Sequence, residues 1–263
     1  MTECCLIRGA GDIGSAIAVA LFRAGHPVLL HDEPFPTWSR RGAAFVDALF
    51  DGEAAVEGVV ARLCADGSEI EAALVGRDAI PVACGEFASV LAASRPRVLV
   101  DARMRKRTTP EPQRGLAALT IGLGPNFVAG ETTDLVIETA WGDSLGALVT
   151  SGRSLPMTGE PKPVDGVGRE RYVYAPATGL FVTAMDIGDA VSAGTDVARI
   201  GTTVLAAPIA GRLRGITRSG VPVKVGTKVI EVVPESAAHL VRGIGTRQRR
   251  IAEVVLEAVR RSA

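Results

Sequence analysis

The fold is decided by residues 4–32, which read CCLIRGAGDIGSAIAVALFRAGHPVLLHD. An apolar run leads into a glycine-rich turn, residues 15–23 place apolar side chains at helical spacing, and residues 26–31 return to an apolar run. A strand, turn, helix and strand in close succession are typical of the βαβ unit of a parallel sheet. We therefore predict an α/β domain at the start of the chain.

The glycine-rich turn matches the G-x-G-x-x-G pattern of dinucleotide-binding, Rossmann-like domains. In that pattern the first glycine makes a tight turn, the second lets a phosphate approach the backbone, and the third packs the helix on the sheet. The helix N-terminus would bind the pyrophosphate, and an acid after the second strand would bind a ribose hydroxyl. The alternative is a turn that survives in a fold that no longer binds a nucleotide. The predicted cofactor-binding residues here are Gly9, Gly11, Asp12, Ile13, Gly14 and Asp32.

Asp12 complicates this prediction because a carboxylate inside a phosphate loop repels the phosphate. Asp is a favoured N-cap residue, and the helix begins at this point of the sequence. We expect Asp12 to cap the helix, and a functional role for it stays the alternative.

Charged residues follow the predicted strands, where the loops of an open α/β sheet reach the ligand crevice. Arg40 and Arg41 come after the second strand and could hold phosphates bidentately. The apolar run 97–100 leads into residues 101–107, DARMRKR, in which Asp101 and Lys106 are candidate catalytic residues. The alternative for this charge run is a solvated loop with structural ion pairs.

Two further apolar runs, residues 119–123 and 134–138, end close to glycines. Gly122 and Gly124 either clasp a ligand or make tight turns. Glu138 ends the second run and is the acid that we single out as a catalytic base or hydroxyl acceptor.

Composition limits the classes of function. The chain has 263 residues with 29 basic and 29 acidic side chains, so no net charge favours nucleic acid or an anionic membrane. No apolar stretch is long enough to span a bilayer, and residues 1–9 do not resemble a secretory signal, so we expect a cytoplasmic protein. The four cysteines and three histidines show no metal-ligand spacing, so we predict no metal site and expect the cysteines to be buried.

An internal repeat fills the last third of the chain. Residues 175–179, APATG, and 207–211, APIAG, begin two stretches that align at a constant offset of 32 residues. Each stretch resembles short strands broken by turns, so the pair resembles the biotinyl/lipoyl domain, a barrel-sandwich hybrid. That family carries its group on a lysine between the two halves, and residues 200–208 contain no lysine, so we expect neither biotin nor lipoate.

These features predict three parts: a Rossmann-like parallel-sheet domain, residues 1–170; a small all-β barrel-sandwich domain, residues 171–235; and a C-terminal helix, residues 236–263. The helix is expected to be amphipathic, with its apolar residues on one face.

The opening motif, the run 122–130, the run 136–139 and the lysine-free repeat together resemble the accessory proteins of the selenium-dependent molybdenum hydroxylase system. The resemblance implies a role in maturation of xanthine-dehydrogenase-type enzymes, a molybdenum hydroxylase as partner, and molybdopterin cytosine dinucleotide as a ligand. It implies no established reaction.

Two other hypotheses remain open at this point. One is an NAD(P)-dependent oxidoreductase in which Asp32 holds the ribose and Glu138 or Lys106 handles a proton. The other is a scaffold that docks a partner enzyme through the repeat and the C-terminal helix. Whether the protein is an enzyme and whether it forms a homo-oligomer stay open.

Overall fold

The computed structural model describes residues 3–105, 108–156, 159 and 161–262. It confirms a mixed α/β protein with a large, mostly parallel sheet, additional antiparallel sheets and a C-terminal helix. The described chain forms two compact units. Unit 1 contains the described residues of Met1–Pro34, Ala44–Thr158 and Ile244–Ala263, and unit 2 contains those of Phe35–Ala43 and Gly159–Gly243.

Unit 1 is built on a nine-stranded sheet with a two-stranded sheet beside it. The strands, in chain order, are β1 (Cys5–Arg8), β2 (Val28–Asp32), β3 (Glu53–Val56), β4 (Val59–Leu63), β5 (Ile80–Cys84), β6 (Val98–Asp101), β7 (Leu119–Leu123), β8 (Val128–Ala129), β9 (Leu135–Ile137), β10 (Leu148–Val149) and β11 (Gly152–Arg153). The large sheet has the order β10-β9-β7-β6-β1-β2-β5-β4-β3, and β8 pairs with β11. Only the end pairs β3–β4 and β9–β10 of the large sheet are antiparallel.

Helices cover both faces of this sheet, which explains why its central strands are apolar throughout rather than alternating. The helices of unit 1 are α1 (Asp12–Arg23), α2 (Ala48–Asp51), α3 (Gly67–Gly76), α4 (Phe87–Ser94) and α5 (Thr246–Arg261). On one face, α1 and α5 pack in the same core as Ile7, Leu30 and Val100. On the other face, Leu6, Leu29 and Leu99 pack against residues of α3 and α4.

The C-terminal helix belongs to unit 1 and buries one face, which includes Ile251 and Val255. The predicted third part, residues 236–263, is therefore divided, because residues 236–243 lie in unit 2. Residues 35–43 also belong to unit 2, although the sequence placed them inside the first domain. No helix among the described residues is both long and apolar enough to cross a membrane.

Unit 2 contains two four-stranded antiparallel sheets. Its strands are β12 (Tyr172–Tyr174), β13 (Gly179–Val182), β14 (Ala190–Val191), β15 (Asp196–Ile200), β16 (Thr203–Ala206), β17 (Gly211–Ile216), β18 (Val221–Val223) and β19 (Lys228–Val233). Three short 3-10 helices lie at Arg41–Ala43, Arg169–Arg171 and Glu235–Leu240.

The sequence repeat appears strand for strand in unit 2. The offset of 32 residues carries β12, β13, β14 and β15 onto β16, β17, β18 and β19. The same exchange converts the sheet order β12-β19-β17-β14 into β16-β15-β13-β18, which is the order of the second sheet. Each sheet therefore contains strands of both copies, so neither copy completes a sheet alone.

Candidate functional site

The candidate site lies at the carboxyl edge of the large sheet of unit 1. The chain adds β2 next to β1, places β3, β4 and β5 farther along on the same side, and then crosses to β6 on the opposite side of β1. Such a reversal of strand order leaves a crevice between the loop after β1 and the loop after β6, and open α/β sheets bind ligands in this crevice. The loops after β1 and β6 are the glycine-rich turn and the charged run predicted from the sequence.

The glycine-rich turn needs glycine at two positions for steric reasons. Gly9 has φ +108°, and a Cβ there would lie 3.1 Å from the backbone of Ala102 and Arg103. A Cβ at Gly14 would lie 1.9 Å from the carbonyl oxygen of Gly9. Gly14 therefore allows α1 to pack directly on the end of β1, and Ile13 beside it is buried in the core.

Helix α1 begins without a side-chain cap, which corrects the expectation for Asp12. The N-cap residue is Gly11, in extended backbone with φ −72° and ψ −176°, and Asp12 is the first helical residue. Asp12 Oδ2 accepts a hydrogen bond from Gln248 Nε2 of α5 at 2.6 Å. The carboxylate is thus held by α5, and no side chain of the described chain caps the first turn of α1.

Asp32 ends β2 beside this turn and is 8% exposed. Its Oδ2 accepts from the Ala10 backbone N–H at 2.7 Å, and its Oδ1 accepts from the Glu33 N–H at 2.9 Å. The structure therefore brings together the predicted residues Gly9, Gly11, Asp12, Ile13, Gly14 and Asp32.

Asp101, at the end of β6, is buried in an ion-pair network. Arg103 Nε donates to both Asp101 carboxylate oxygens, at 3.0 and 3.1 Å, and Gln113 Nε2 donates to Oδ2. Arg103 Nη2 and Arg8 Nη1 both donate to Glu111 Oε1, at 2.9 and 2.7 Å. Partial burial alone would raise the pKa of Glu111, but its own backbone N–H and these two guanidiniums outweigh burial and lower the pKa to about 2.

Sequence reasoning missed several members of this network. Arg8 lies opposite both His31 and Asp101 in the sheet register, so the three side chains share the face that carries Leu6 and Leu29. His31 Nε2 lies 2.8 Å from the carbonyl oxygen of Gly85, so it carries the proton and Nδ1 is an acceptor. Burial lowers the pKa of His31. The sequence did contain a signal for two of them, because Arg8 ends the apolar strand β1 and His31 lies next to the end of the apolar strand β2.

Four buried polar atoms of this network have no hydrogen-bond partner among the described residues. They are Arg8 Nε, His31 Nδ1, Arg103 Nη1 and Gln113 Oε1. The Arg8 guanidinium stacks on Phe87 at 3.5 Å from the ring centroid. Unsatisfied buried groups are uncommon, and their concentration beside the crevice indicates capacity for a polar ligand or water.

Glu138 and the neighbouring glycines have contacts within the protein. Glu138 Oε1 accepts from the N–H groups of Thr139 and Ala140, both at 2.6 Å, and Oε2 accepts from the Leu155 N–H at 2.7 Å. A Cβ at Gly122 would lie 2.4 Å from the Phe127 ring, and one at Gly124 would lie 2.7 Å from Thr139 Oγ1. Gly124, with φ +81°, makes the turn after β7, whereas Gly122 lies within β7, where the packing of Phe127 leaves no room for a side chain.

The remaining predicted residues lie elsewhere. Arg40 and Arg41 belong to unit 2, where Arg41 Nε donates to the Ile216 carbonyl oxygen at 2.9 Å and Nη2 pairs with Asp186. Lys106 lies outside the described residues. Within the described ranges no group of three His, Cys, Asp or Glu side chains could hold a metal ion.

The cysteines divide between core and surface. Cys4 and Cys5 are buried, and burial raises the pKa of their thiols to about 11 and about 12. Cys64 is half-buried and Cys84 is exposed, so the expectation of burial for the whole group is wrong.

Comparison with known proteins gives one curated relative. The chain is 37% identical over 254 residues to the uncharacterized protein YqeB of Escherichia coli (strain K12), covering 97% of this chain and 47% of that protein. The chain thus spans about half the length of the curated relative it matches. No family model matches the chain.

Solved structures resemble the chain only weakly. The ectoine utilization protein EutE (DoeB) from Ruegeria pomeroyi, in its product-bound structure, is 14% identical with a TM-score of 0.23, over 88% of this chain and 52% of that chain. A succinylglutamate desuccinylase/aspartoacylase from Rhodobacter sphaeroides is 15% identical with a TM-score of 0.23, over 89% of this chain and 53% of that chain. The activities named in these titles belong to those proteins.

These comparisons correct the resemblance drawn from the sequence. They return proteins of ectoine utilization and of the desuccinylase/aspartoacylase type together with an uncharacterized relative, and no molybdenum hydroxylase accessory protein. The assignment to that accessory family and the role in xanthine dehydrogenase maturation are therefore wrong. The alternatives of an NAD(P)-dependent oxidoreductase and of a docking scaffold gain no support either.

Proposed function

We propose that unit 1 is a Rossmann-like domain that binds a pyrophosphate-linked dinucleotide in the crevice between the loops after β1 and β6. The observation that carries this proposal is the uncapped start of α1, held against the end of β1 by Gly9 and Gly14 at the point where strand order reverses. Backbone N–H groups and the positive end of the helix dipole favour a pyrophosphate at such a place.

Asp32 defines the second half of the proposed ligand. Dinucleotide-binding domains hold the two hydroxyls of a ribose with an acid at the end of the second strand, and Asp32 occupies that place beside the glycine-rich turn. A 2′-phosphate would meet its negative charge, so a dinucleotide of the NAD type should bind better than its 2′-phosphorylated form. The bond from Gln248 holds the Asp12 carboxylate toward α5, which relieves the repulsion that Asp12 would exert on a phosphate.

The test is isothermal titration of the full chain and of Gly11→Val with NAD, NADH and NADP. The backbone at Gly11 is extended, a conformation that valine adopts, and a side chain there should block the approach of the phosphate. We expect binding to weaken about 100-fold or more, the equivalent of about 3 kcal/mol. Gly67→Val is the matched control, because Gly67 also begins a helix and no heavy atom lies within 4 Å of a Cβ there.

Two results would contradict the proposal. One is an affinity in Gly11→Val equal to that of the parent, and the other is no binding of any of the three dinucleotides by a parent protein that is folded.

We also propose that unit 2 is a barrel-sandwich hybrid of the biotinyl/lipoyl type without a prosthetic group. The exchange of strands between the two copies of the repeat supports this architecture. The turn between β15 and β16, where the two copies join, consists of Gly201 and Thr202 and offers no lysine.

A further inference from the structure

Unit 2 contains a buried carboxylate surrounded by cations. Glu231, on β19, is 1% exposed. Its Oε1 lies 2.8 Å from Arg214 Nη1 and 3.4 Å from Arg171 Nε, and its Oε2 lies 3.2 Å from Lys228 Nζ. Three cations therefore share a single carboxylate.

Arg40 adds a fourth cation to this cluster. Ser39, the residue before Arg40, lies beside β17, because the Ile216 N–H donates to the Ser39 carbonyl oxygen at 2.8 Å. Gly215 of β17 pairs with Glu231 of β19, so Ser39 is also close to Glu231. The Arg40 guanidinium interacts electrostatically with Glu231 and with Arg214. Its Nε is buried and has no hydrogen-bond partner within the part of the chain that the structure describes.

The charges in this cluster do not balance. Arg171 is satisfied, since it also donates to the carbonyl oxygens of Val167 and Lys162, at 3.0 and 3.1 Å. Arg171 and Lys228 also stack on the Tyr172 ring, at 4.3 and 4.5 Å from its centroid. Arg214 Nε donates to the Leu240 carbonyl oxygen at 3.0 Å, but burial followed by repulsion from Arg40 lowers the pKa of Arg214. Among the described residues Glu231 is the carboxylate that pairs with Arg214 and Lys228.

Part of the cluster reaches solvent. The Lys228 side chain is 33% exposed, and Arg40 and Tyr172 are half-buried, whereas Glu231 and Arg171 are buried. A ligand that approaches from solvent would meet Lys228 and Arg40 first.

We propose that unit 2 binds the phosphate group of a small molecule between Arg40, Arg214 and Lys228. Four cations and one carboxylate leave an excess of three positive charges. A phosphate monoester carries about −1.5 to −2 charges at neutral pH, which compensates more of this excess than a single carboxylate could. Guanidinium groups bind phosphate oxygens in a bidentate manner, and Arg40 is only half-buried.

The experiment is titration of the full chain with inorganic phosphate and, separately, with glycerol phosphate, at constant ionic strength and followed by calorimetry. The same titrations are made on Arg40→Gln and on Arg199→Gln. Arg199 is a matched control, because it lies on an exposed position of β15 in the other sheet of unit 2. Titration of Gly11→Val reports any phosphate that binds at the start of α1 instead.

We expect saturable binding that weakens about tenfold in Arg40→Gln, as for loss of one charge-assisted contact, and is unchanged in Arg199→Gln and Gly11→Val. Tighter binding of glycerol phosphate than of inorganic phosphate would identify a phosphorylated metabolite as the source, and the reverse would identify free phosphate. Equal affinity in the parent and Arg40→Gln, a loss of binding in Gly11→Val, or no binding to the folded parent would overturn the proposal.

Discussion

Units 1 and 2 each bury a glutamate, and they hold the two carboxylates by different means. Glu138 in unit 1 is 3% exposed and accepts hydrogen bonds from three backbone N–H groups. Glu231 in unit 2 is 1% exposed and pairs with three cationic side chains. Backbone dipoles stabilise a carboxylate without adding net charge, whereas cations in excess leave a positive site. The comparison indicates that Glu138 joins loops, while the residues around Glu231 are equipped to bind an anion.

Replacement of Glu231 should give the largest effect. Glu231→Gln leaves Arg171, Arg214 and Lys228 close together without the negative charge, and removal of one partner of a buried ion pair costs about 3–5 kcal/mol. The measurement is the free energy of unfolding in urea, in a phosphate-free buffer.

Glu235→Gln is the control, because Glu235 forms an exposed pair with Arg212 in the same unit. We expect little change in that variant. Equal stability of Glu231→Gln and the parent would show that the cations are solvated and would remove the contrast between the two glutamates.

Replacement of Glu138 should give a smaller but clear effect. Glu138→Gln keeps one acceptor oxygen for Thr139 and Ala140 but turns an amide NH₂ toward the Leu155 N–H. One buried donor then lacks an acceptor, which costs about 1–3 kcal/mol. The same urea unfolding measurement applies, with the exposed Glu131→Gln as control.

A Glu138→Gln variant as stable as the parent would contradict the structural role and restore the interpretation of Glu138 as a catalytic base. The hydrogen bond from the Leu155 N–H joins the end of β9 to the segment after β11, so the destabilisation should appear in unit 1.

The local pattern of the sequence predicted the elements whose partners are close in the chain. The predicted strand at residues 119–123 coincides with β7, and the run 97–100 is displaced by one residue from β6. The helical spacing of residues 15–23 lies within α1, which begins with Asp12 as its first helical residue and not as its cap. The glycine positions were informative because close packing at Gly14 admits no side chain.

Long-range partners explain what the sequence could not show. Arg41 bonds to Ile216, 175 residues away, so its place in unit 2 leaves no local signal. The network of Arg8, Asp101 and Glu111 depends on the order of strands in the sheet, which a repeat or a spacing does not encode. Glu138 resembled a free acid because its three partners are backbone N–H groups, which no sequence pattern reveals.

The smallest expected effect is a difference in acid sensitivity between two glutamates that are both held by cations. Burial alone would raise the pKa of Glu231, but Lys228, Arg40, Arg214 and Arg171 outweigh it and lower the pKa well below its usual range. Glu111 in unit 1 has a pKa of about 2 but a side chain that is 44% exposed, so solvent screens its pairs with Arg8 and Arg103.

A carboxylate whose pKa is lower in the folded than in the unfolded state stabilises the protein above the unfolded pKa, about 4.3, and this stability is lost as the pH falls toward the folded pKa. The free energy of unfolding should therefore decrease from pH 5 to about pH 3, and Glu231→Gln should flatten this decrease more than Glu111→Gln does. Urea unfolding of the parent and both variants across this range measures the slopes. A steeper contribution from Glu111 would mean that exposure does not weaken its pairs, and the contrast between a screened and a buried cationic cluster would fail.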